Sequence, residues 1–467
     1  MGDSDIGVIG MAVMGQNIAL NIESNGNTVS VYNRTGSTTE SFYEERGQDK
    51  QVVPTYDLES FVDSLERPRK VLLMVKAGKP VDIFIDKLIP LLDEGDVIVD
   101  GGNSDFRDTE RRIEKAEDEG LLYLGTGISG GEYGALHGPS IMPGGHEEAY
   151  DIVGPLLEDA AAQVDGEPCC AYLGPHSAGH YVKMVHNGIE YAVMQSISEA
   201  YWLMSQGLGM EPPEMSEQFA EWNERVGAYL YEITADILKQ KDDRGDGFLI
   251  NSILDTAKQK GTGKWSVQSA LDYGVPVPTM SAAVEGRFLS ALKDERGEMG
   301  EQYEIDRPLE PLSEDVLDDL EDALYISTVS SYAQGMKLLD VASDERGYDL
   351  DLSTVARVWK DGCIIRSTLL DPIRTAYDEK PYPDNLIAAP NFQSEYENSI
   401  PALRRVVQAA RSVALPVPAH SASLDYFESL TSPNLPANMI QAQRDCFGAH
   451  TYERRDAEGT FHTEWGE

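Results

Sequence analysis

The sequence predicts two domains: an α/β domain on a parallel sheet over residues 1–178, and a large all-α domain over 179–434 that ends in a C-terminal tail, 435–467. Three observations predict this. Short apolar strand candidates open the chain, each running into a glycine-bearing loop, the alternation that builds parallel sheets. Past Gly174-Pro175 the strand signals give way to long helical periodicity. The length of 467 residues exceeds what one ordinary core accommodates.

The first element is Asp5-Ile-Gly-Val-Ile9, an apolar strand, followed by Gly10-Met11-Ala12-Val13-Met14-Gly15, a helical run through Ile22, and a second strand candidate, Thr28 to Tyr32. Strand, tight turn, helix and strand in this order open a Rossmann-type dinucleotide fold. Gly10 permits the sharp turn, Gly15 lets the helix pack closely, and the N–H groups at the helix start suit a pyrophosphate. Ala12 stands where GxGxxG has its middle glycine. The acidic residue that normally binds a ribose 2′-hydroxyl after the second strand is missing, and Asn33-Arg34-Thr35 stand there instead. An Arg can fork onto a 2′-phosphate that a carboxylate would repel, so the expected cofactor is NADP. Further strand candidates are Val71 to Val75, running into Lys76-Ala77-Gly78, and Val97 to Val99, running into Asp100-Gly-Gly-Asn103-Ser104. Both end on the cofactor side of an open parallel sheet, which adds Val75, Lys76, Ala77 and Asn103 to the expected cofactor site. Leu121 to Gly125 leads into Ser129-Gly130-Gly131, a turn whose amides and hydroxyl suit a carboxylate or phosphate.

The helical domain opens on its most informative segment. Lys183, His186, Asn187, Glu190 and Tyr191 recur at spacings of three and four, which puts all five on one helix face. Val182, Met184, Val185, Gly188, Ile189, Ala192 and Val193 between them are apolar or small, so the rest of the helix wants burial. A solvated face would be broad and rich in interchangeable charges, whereas this stripe is narrow and holds five different functional groups. It therefore faces a cavity or a ligand, with a buried structural ion pair as the alternative. Burial and neighbouring charge bring such a Lys and Glu towards the neutral pKa values that acid–base work needs. Further along, Glu314 to Leu324 carries an apolar stripe of Val316, Leu317, Leu320 and Leu324 amid dense acid, which reads as a solvated helix face. From about Leu435 the tail holds Arg444 and His450 in a motif too rich for a frayed end, which suggests docking on another subunit.

Acidic residues number 80 against 38 basic, a formal net charge of −42, which disfavours nucleic acid and anionic membranes as partners. The acid is spread along the chain, and Arg outnumbers Lys 22 to 16, so adaptation to high salt is the expectation, an ordinary acidic enzyme the alternative. No apolar run reaches bilayer length and no signal segment opens the chain, so a soluble, cytoplasmic protein is expected. The four cysteines, Cys169, Cys170, Cys363 and Cys446, form no metal-type CxxC pair and read as packing residues in a reducing compartment.

These residues resemble the 6-phosphogluconate dehydrogenase family over nearly the whole chain. The likeness rests on Gly10-Met-Ala-Val-Met-Gly-Gln-Asn17, Asp100-Gly-Gly-Asn-Ser104, Ile128-Ser-Gly-Gly-Glu132, Gly138-Pro-Ser-Ile-Met-Pro-Gly-Gly145 and Lys183-Met-Val-His-Asn-Gly-Ile-Glu-Tyr191. It continues through Lys260-Gly-Thr-Gly-Lys-Trp265, Gly362-Cys-Ile-Ile-Arg-Ser367 and Gln443-Arg-Asp-Cys-Phe-Gly-Ala-His-Thr-Tyr-Glu453. Departures are small: Tyr133 replaces a Glu, Gly286 an Ala and Cys446 a Tyr. The resemblance implies oxidative decarboxylation of 6-phosphogluconate to ribulose 5-phosphate with reduction of NADP and no metal. It implies Lys183 as base, Glu190 as acid and Asn187 beside them, with Asn103, Ser129, Gly130, Gly131, His186 and Asn187 holding the sugar acid. Tyr191, Lys260 and Arg287 would grip the phosphate, joined by Arg444 and His450 from a partner's tail, which makes a homodimer with an intersubunit site. A shorter β-hydroxyacid dehydrogenase shares the nucleotide domain and the helix-borne Lys. Neither the chain length nor the phosphate-binding cations suit it. A nucleotide-binding sensor without turnover is the rival from another class, and the Lys183 and Glu190 pair speaks against it.

Overall fold

The computed structural model describes residues 2–259, 261–303, 312–378 and 381–466. Seven strands form the main sheet: β1 (Ile6–Ile9), β2 (Val29–Tyr32), β3 (Val52–Thr55), β4 (Lys70–Leu73), β5 (Val97–Asp100), β6 (Leu122–Ser129) and β7 (Ser140–Gly145). Their order is β3-β2-β1-β4-β5-β6-β7, parallel through β6, with β7 antiparallel to β6. The parallel strands are mostly buried, so they read as continuous apolar runs rather than alternating ones. The strand order reverses between β1 and β4, and the crevice beyond their C-terminal ends is where such sheets take ligands. Helix α1 (Val13–Ser24) follows β1.

The all-α domain begins at Ala178 with α2 (Ala178–Trp202), within one residue of the expected boundary. Around it stand α3 (Thr262–Asp272), α4 (Pro278–Ala291), α5 (Asp315–Arg346), α6 (Pro390–Ser412) and α7 (Pro418–Leu430). Their apolar faces make one hydrophobic cluster that also takes in Phe106 and Met142 from the α/β domain, so the two domains share a core. On α5, Leu320 and Leu324 are buried while Asp315 and Asp318 are exposed, as the acidic amphipathic pattern requires. The tail holds α8 (Ala437–Gly448) and a short hairpin pairing Tyr452–Glu453 with Thr460–Phe461.

Several elements differ from the sequence reading. Strands β3 and β7 were not among the expected ones: each is a sheet edge, and Pro54 or Pro143-Gly-Gly145 interrupts the apolar pattern that marks a strand. The fourth strand ends at Leu73, leaving Met74 and Val75 in the loop. The tail hairpin is too short to show periodicity. Cys169, Cys170 and Cys363 are buried as packing residues, but Cys446 is exposed, because its helix leaves that face uncovered within the chain.

The start of α2 lies directly on the sheet. A Cβ at Gly179 would fall inside contact distance of the Gly125 and Met142 carbonyls and the Gly144 amide. Gly179→Ala should therefore destabilise the fold by about 1–3 kcal/mol, a drop of several degrees in thermal midpoint. Gly297→Ala, on a helix with open space around it, should be neutral or slightly stabilising in the same measurement.

Candidate active site

The turn after β1 is as tight as backbone allows. Gly10 has φ +106, and a Cβ there would meet the Met74 carbonyl; a Cβ at Gly15 would meet the Gly10 carbonyl. Gly15 thus serves the turn itself more than the helix–sheet contact. Ala12 precedes α1 in extended conformation and offers no side-chain cap, which leaves the N–H groups of the first turn at Val13 and Met14 free for an anion. The Met11 N–H donates to Asn33 Oδ1 (3.2 Å), and Asn33 Nδ2 donates to the Thr35 carbonyl (3.1 Å), so Asn33 staples the loop after β2 to this turn. Arg34 beside it is exposed and forms no ion pair among the described residues. Val75, Lys76 and Ala77 lie in the adjoining loop after β4, with Lys76 exposed. After β5, the buried Asp100 carboxylate accepts from the Gly102 N–H (3.1 Å) and Ser104 Oγ (2.6 Å), which pins the loop and leaves Asn103 exposed on it. A cradle of glycine backbone, unclaimed amides and a free guanidinium fits a phosphorylated dinucleotide.

The five-residue stripe is indoors. Lys183, His186, Asn187 and Tyr191 are buried and Glu190 nearly so, on a helix whose residues from Ala178 to Ile189 are all buried. Lys183 Nζ donates to Asn187 Oδ1 (2.7 Å) and lies 3.3 Å from His186 Nδ1, while Asn187 Nδ2 donates to Thr262 Oγ1 (2.8 Å) on α3. Ser129 Oγ sits 3.3 Å from His186 Nε2, which ties the end of β6 to the helix. Lys183 stands over Gly127 of β6, where a Cβ would overlap its own. Burial pushes the Lys183 ammonium below its ordinary pKa, partly countered by Glu190. Burial also raises the Glu190 carboxyl, opposed by Lys183 and Arg287. His186 is pushed well below the usual histidine value by burial and then by Lys183, so it is neutral, one ring nitrogen donating and one accepting. The helix thus presents a base and an acid whose pKa values are drawn towards each other.

One turn on, Tyr191 lies flat against α3, where a Cβ at Gly263 would overlap its ring. The Arg287 guanidinium sits 3.6 Å above that ring and donates to the Lys258 carbonyl (3.1 Å). Gly130 (φ +122) and Gly131 (φ +62) form the turn after β6, adjoining Ser129. Lys260 lies outside the described residues. Arg444 and His450 are exposed on the tail, and no hydrogen bond or ion pair joins them to Tyr191 or Arg287 among the described residues. Sequence reading missed Thr262, which orients Asn187, and Gly127, which admits Lys183. The first lay inside the glycine-rich Lys260-Gly-Thr-Gly-Lys-Trp265 run; for the second no local signal exists.

Residues 5–174 match the NAD binding domain of 6-phosphogluconate dehydrogenase, and residues 179–465 match the 6-phosphogluconate dehydrogenase C-terminal domain. The chain is 53% identical to "6-phosphogluconate dehydrogenase, decarboxylating" of Synechococcus elongatus, over 98% of each chain. It is 51% identical to "6-phosphogluconate dehydrogenase, NADP(+)-dependent, decarboxylating" of Bacillus subtilis, over 100% of each. Among solved structures, Plasmodium falciparum 6-phosphogluconate dehydrogenase, studied apo and with NADP+ or 6-phosphogluconate, superposes with a TM-score of 0.95 at 45% identity, covering 99% of this chain and 100% of that one.

Lys183 makes a stability prediction with a definite sign. Its folded pKa lies below its unfolded one, so folding opposes the ammonium at every pH below the unfolded value, and that cost disappears as pH rises above it. Lys183→Met should raise stability by about 1–2 kcal/mol at neutral pH. Denaturation midpoints measured against pH should show the gain shrinking as pH climbs through the alkaline range and gone above about pH 10, the unfolded lysine value.

Proposed function

The chain belongs to the 6-phosphogluconate dehydrogenase family, and on that premise we propose which of its residues perform the reaction. The reaction is the oxidative decarboxylation of 6-phosphogluconate to ribulose 5-phosphate and CO2, with NADP reduced to NADPH. Bound NADP supplies the hydride acceptor. Its pyrophosphate suits the turn from Gly10 to Gly15, its 2′-phosphate suits Asn33, Arg34 and Thr35, and Val75, Lys76, Ala77 and Asn103 border the remainder.

The buried cluster of Lys183, His186, Asn187 and Glu190 is the single observation that carries the assignment. Lys183, short of solvation and so inclined to be neutral, takes the C3 hydroxyl proton as C3 becomes a ketone. Now charged, it donates to the new carbonyl oxygen, with Asn187 Oδ1 accepting another of its protons. That carbonyl is β to the carboxylate and accepts the electron pair released as CO2 leaves, so no metal is needed for the step. Glu190, whose carboxyl burial favours as the protonated form, delivers a proton to C1 of the enediol. Ser129, Gly130, Gly131, Asn103 and His186 hold the sugar acid. Tyr191 and Arg287 face its phosphate, with Lys260, and Arg444 and His450 of a second copy complete the grip.

A homodimer follows from this reading. Ile253, Leu254, Leu289, Leu292, Met439, Ile440 and Phe447 are exposed apolar side chains that suit burial against a second copy. Its compartment in this reading is the cytoplasm, where free cysteines persist. No helix among the described residues is long and apolar enough to cross a membrane. The charge of −42 supports adaptation to salt, since screening relieves self-repulsion.

NADPH and CO2 should form in equal amounts from 6-phosphogluconate and NADP. Lys183→Ala should cut kcat by about a thousandfold or more while NADP still binds; retained turnover rejects the base. Arg34→Ala should raise the NADP KM by about tenfold and the NAD KM far less; equal effects refute the 2′-phosphate contact. Activity and thermal midpoint should rise together with KCl into the molar range, and a flat response rejects salt adaptation.

A further inference from the structure

The tail folds around one carboxylate. Asp445, on α8, has no exposure to solvent, although its neighbours Arg444, Cys446 and Phe447 are exposed. Oδ1 accepts from the Thr451 N–H (2.9 Å) and from His462 Nδ1 (2.9 Å). Oδ2 accepts from the Thr463 N–H (3.0 Å) and from Trp465 Nε1 (2.8 Å). A single side chain thereby joins the helix, the turn after it and the last residues beyond the hairpin.

The turn it holds is strained. Ala449 (φ +50) and Thr451 (φ +60) flank His450 in the left-handed region, which a β-branched residue rarely enters. Such a conformation persists only where its surroundings over-determine it. Here the Thr451 N–H is taken by Asp445, and its carbonyl accepts from Gln441 Nε2 (2.6 Å). The same Gln441 side chain accepts from Arg444 Nη1 (3.1 Å) through Oε1. His450 packs edge-on to Phe447, with ring centroids 5.9 Å apart. Arg444 and His450 therefore share one scaffold, and Asp445 is its centre.

We propose that Asp445 is a positioning residue for substrate binding: by holding the strained 449–451 turn it fixes Arg444 and His450 in the arrangement that reaches the phosphate of a substrate bound by a second copy. Residues 462–465, whose His462, Thr463 and Trp465 donate to Asp445, are then required for binding because they close the clasp. This rests on the reading of Arg444 and His450 given above.

The test uses the full-length enzyme with Asp445→Ala, a truncation after Phe461, Arg444→Ala, and Thr451→Gly added to Asp445→Ala. KM for 6-phosphogluconate, kcat, NADP affinity, thermal midpoint and oligomeric mass are read for each. Asp445→Ala and the truncation should each raise the KM for 6-phosphogluconate by about tenfold or more, the loss of a charge-assisted contact, with NADP affinity unchanged. Arg444→Ala combined with Asp445→Ala, measured in the same way, should raise KM little beyond Asp445→Ala alone, because the two act through one contact. Thr451→Gly should restore part of the lost KM, since glycine enters the left-handed region freely and needs no clasp to stay there; a tail of merely structural importance would not recover this way. The truncation retains Asp445 and gives the answer should Asp445→Ala fail to fold. An unchanged KM in Asp445→Ala and in the truncation, with a raised KM in Arg444→Ala, overturns the positioning role and leaves the phosphate reading standing. An unchanged KM in Arg444→Ala overturns the phosphate reading, and the positioning role falls with it.

Discussion

The close approach of α2 to the β6–β7 edge of the sheet is the constraint on which the rest of the site depends. Gly125, Gly127 and Gly144 on the strands and Gly179 on the helix remove the side chains that would hold the two apart. Once the helix lies on the sheet, Lys183 is pressed over Gly127 and loses its water, and the loss of water depresses its pKa. The same contact sets α2 beside the crevice beyond the C-terminal ends of the parallel strands, on which the Gly10–Gly15 turn also opens. The position of Lys183 against the sheet and its depressed pKa thus have one cause, a backbone-to-backbone packing that any Cβ would spoil.

Electrostatics divide sharply between surface and site. A net charge of −42 surrounds the protein, and an anionic substrate meets that field first. Within the site the balance reverses at short range: Arg287 stacks on Tyr191, and Arg34 and Lys76 stand exposed at the nucleotide crevice. Salt screens charges more than about 10 Å apart and affects pairs at contact distance less, so added salt weakens the diffuse surface repulsion more than short-range pairing. His186 stays neutral between these extremes and is free to exchange hydrogen bonds with Ser129 without carrying charge into the cluster.

Much of the α/β domain was legible in the sequence because its strands are buried on both faces and its turns demand particular residues. Ile6–Ile9 with Gly10 is one such case, and Asp100 with Ser104 another. The edge strands β3 and β7 were not, since a proline at an edge removes the pattern without removing the strand. On α2, the spacing of Lys183, His186, Asn187, Glu190 and Tyr191 was visible as a stripe, and so was the apolar character of everything between them. Thr262 and Gly127 were not visible as site residues, because each acts through a partner many positions away.

By itself the sequence determined the passage from an α/β domain to a helical one, the tight turn after β1 and which residues share the polar face of α2, since these follow from local periodicity and from the backbone freedom of glycine. Tertiary structure alone decided that this face is dry, that Asn187 is held between Lys183 and Thr262, and that Asp445 gathers the tail around itself. The physical reason is that desolvation and hydrogen-bond partnership are properties of what surrounds a group. Those surroundings come from elements distant in the chain.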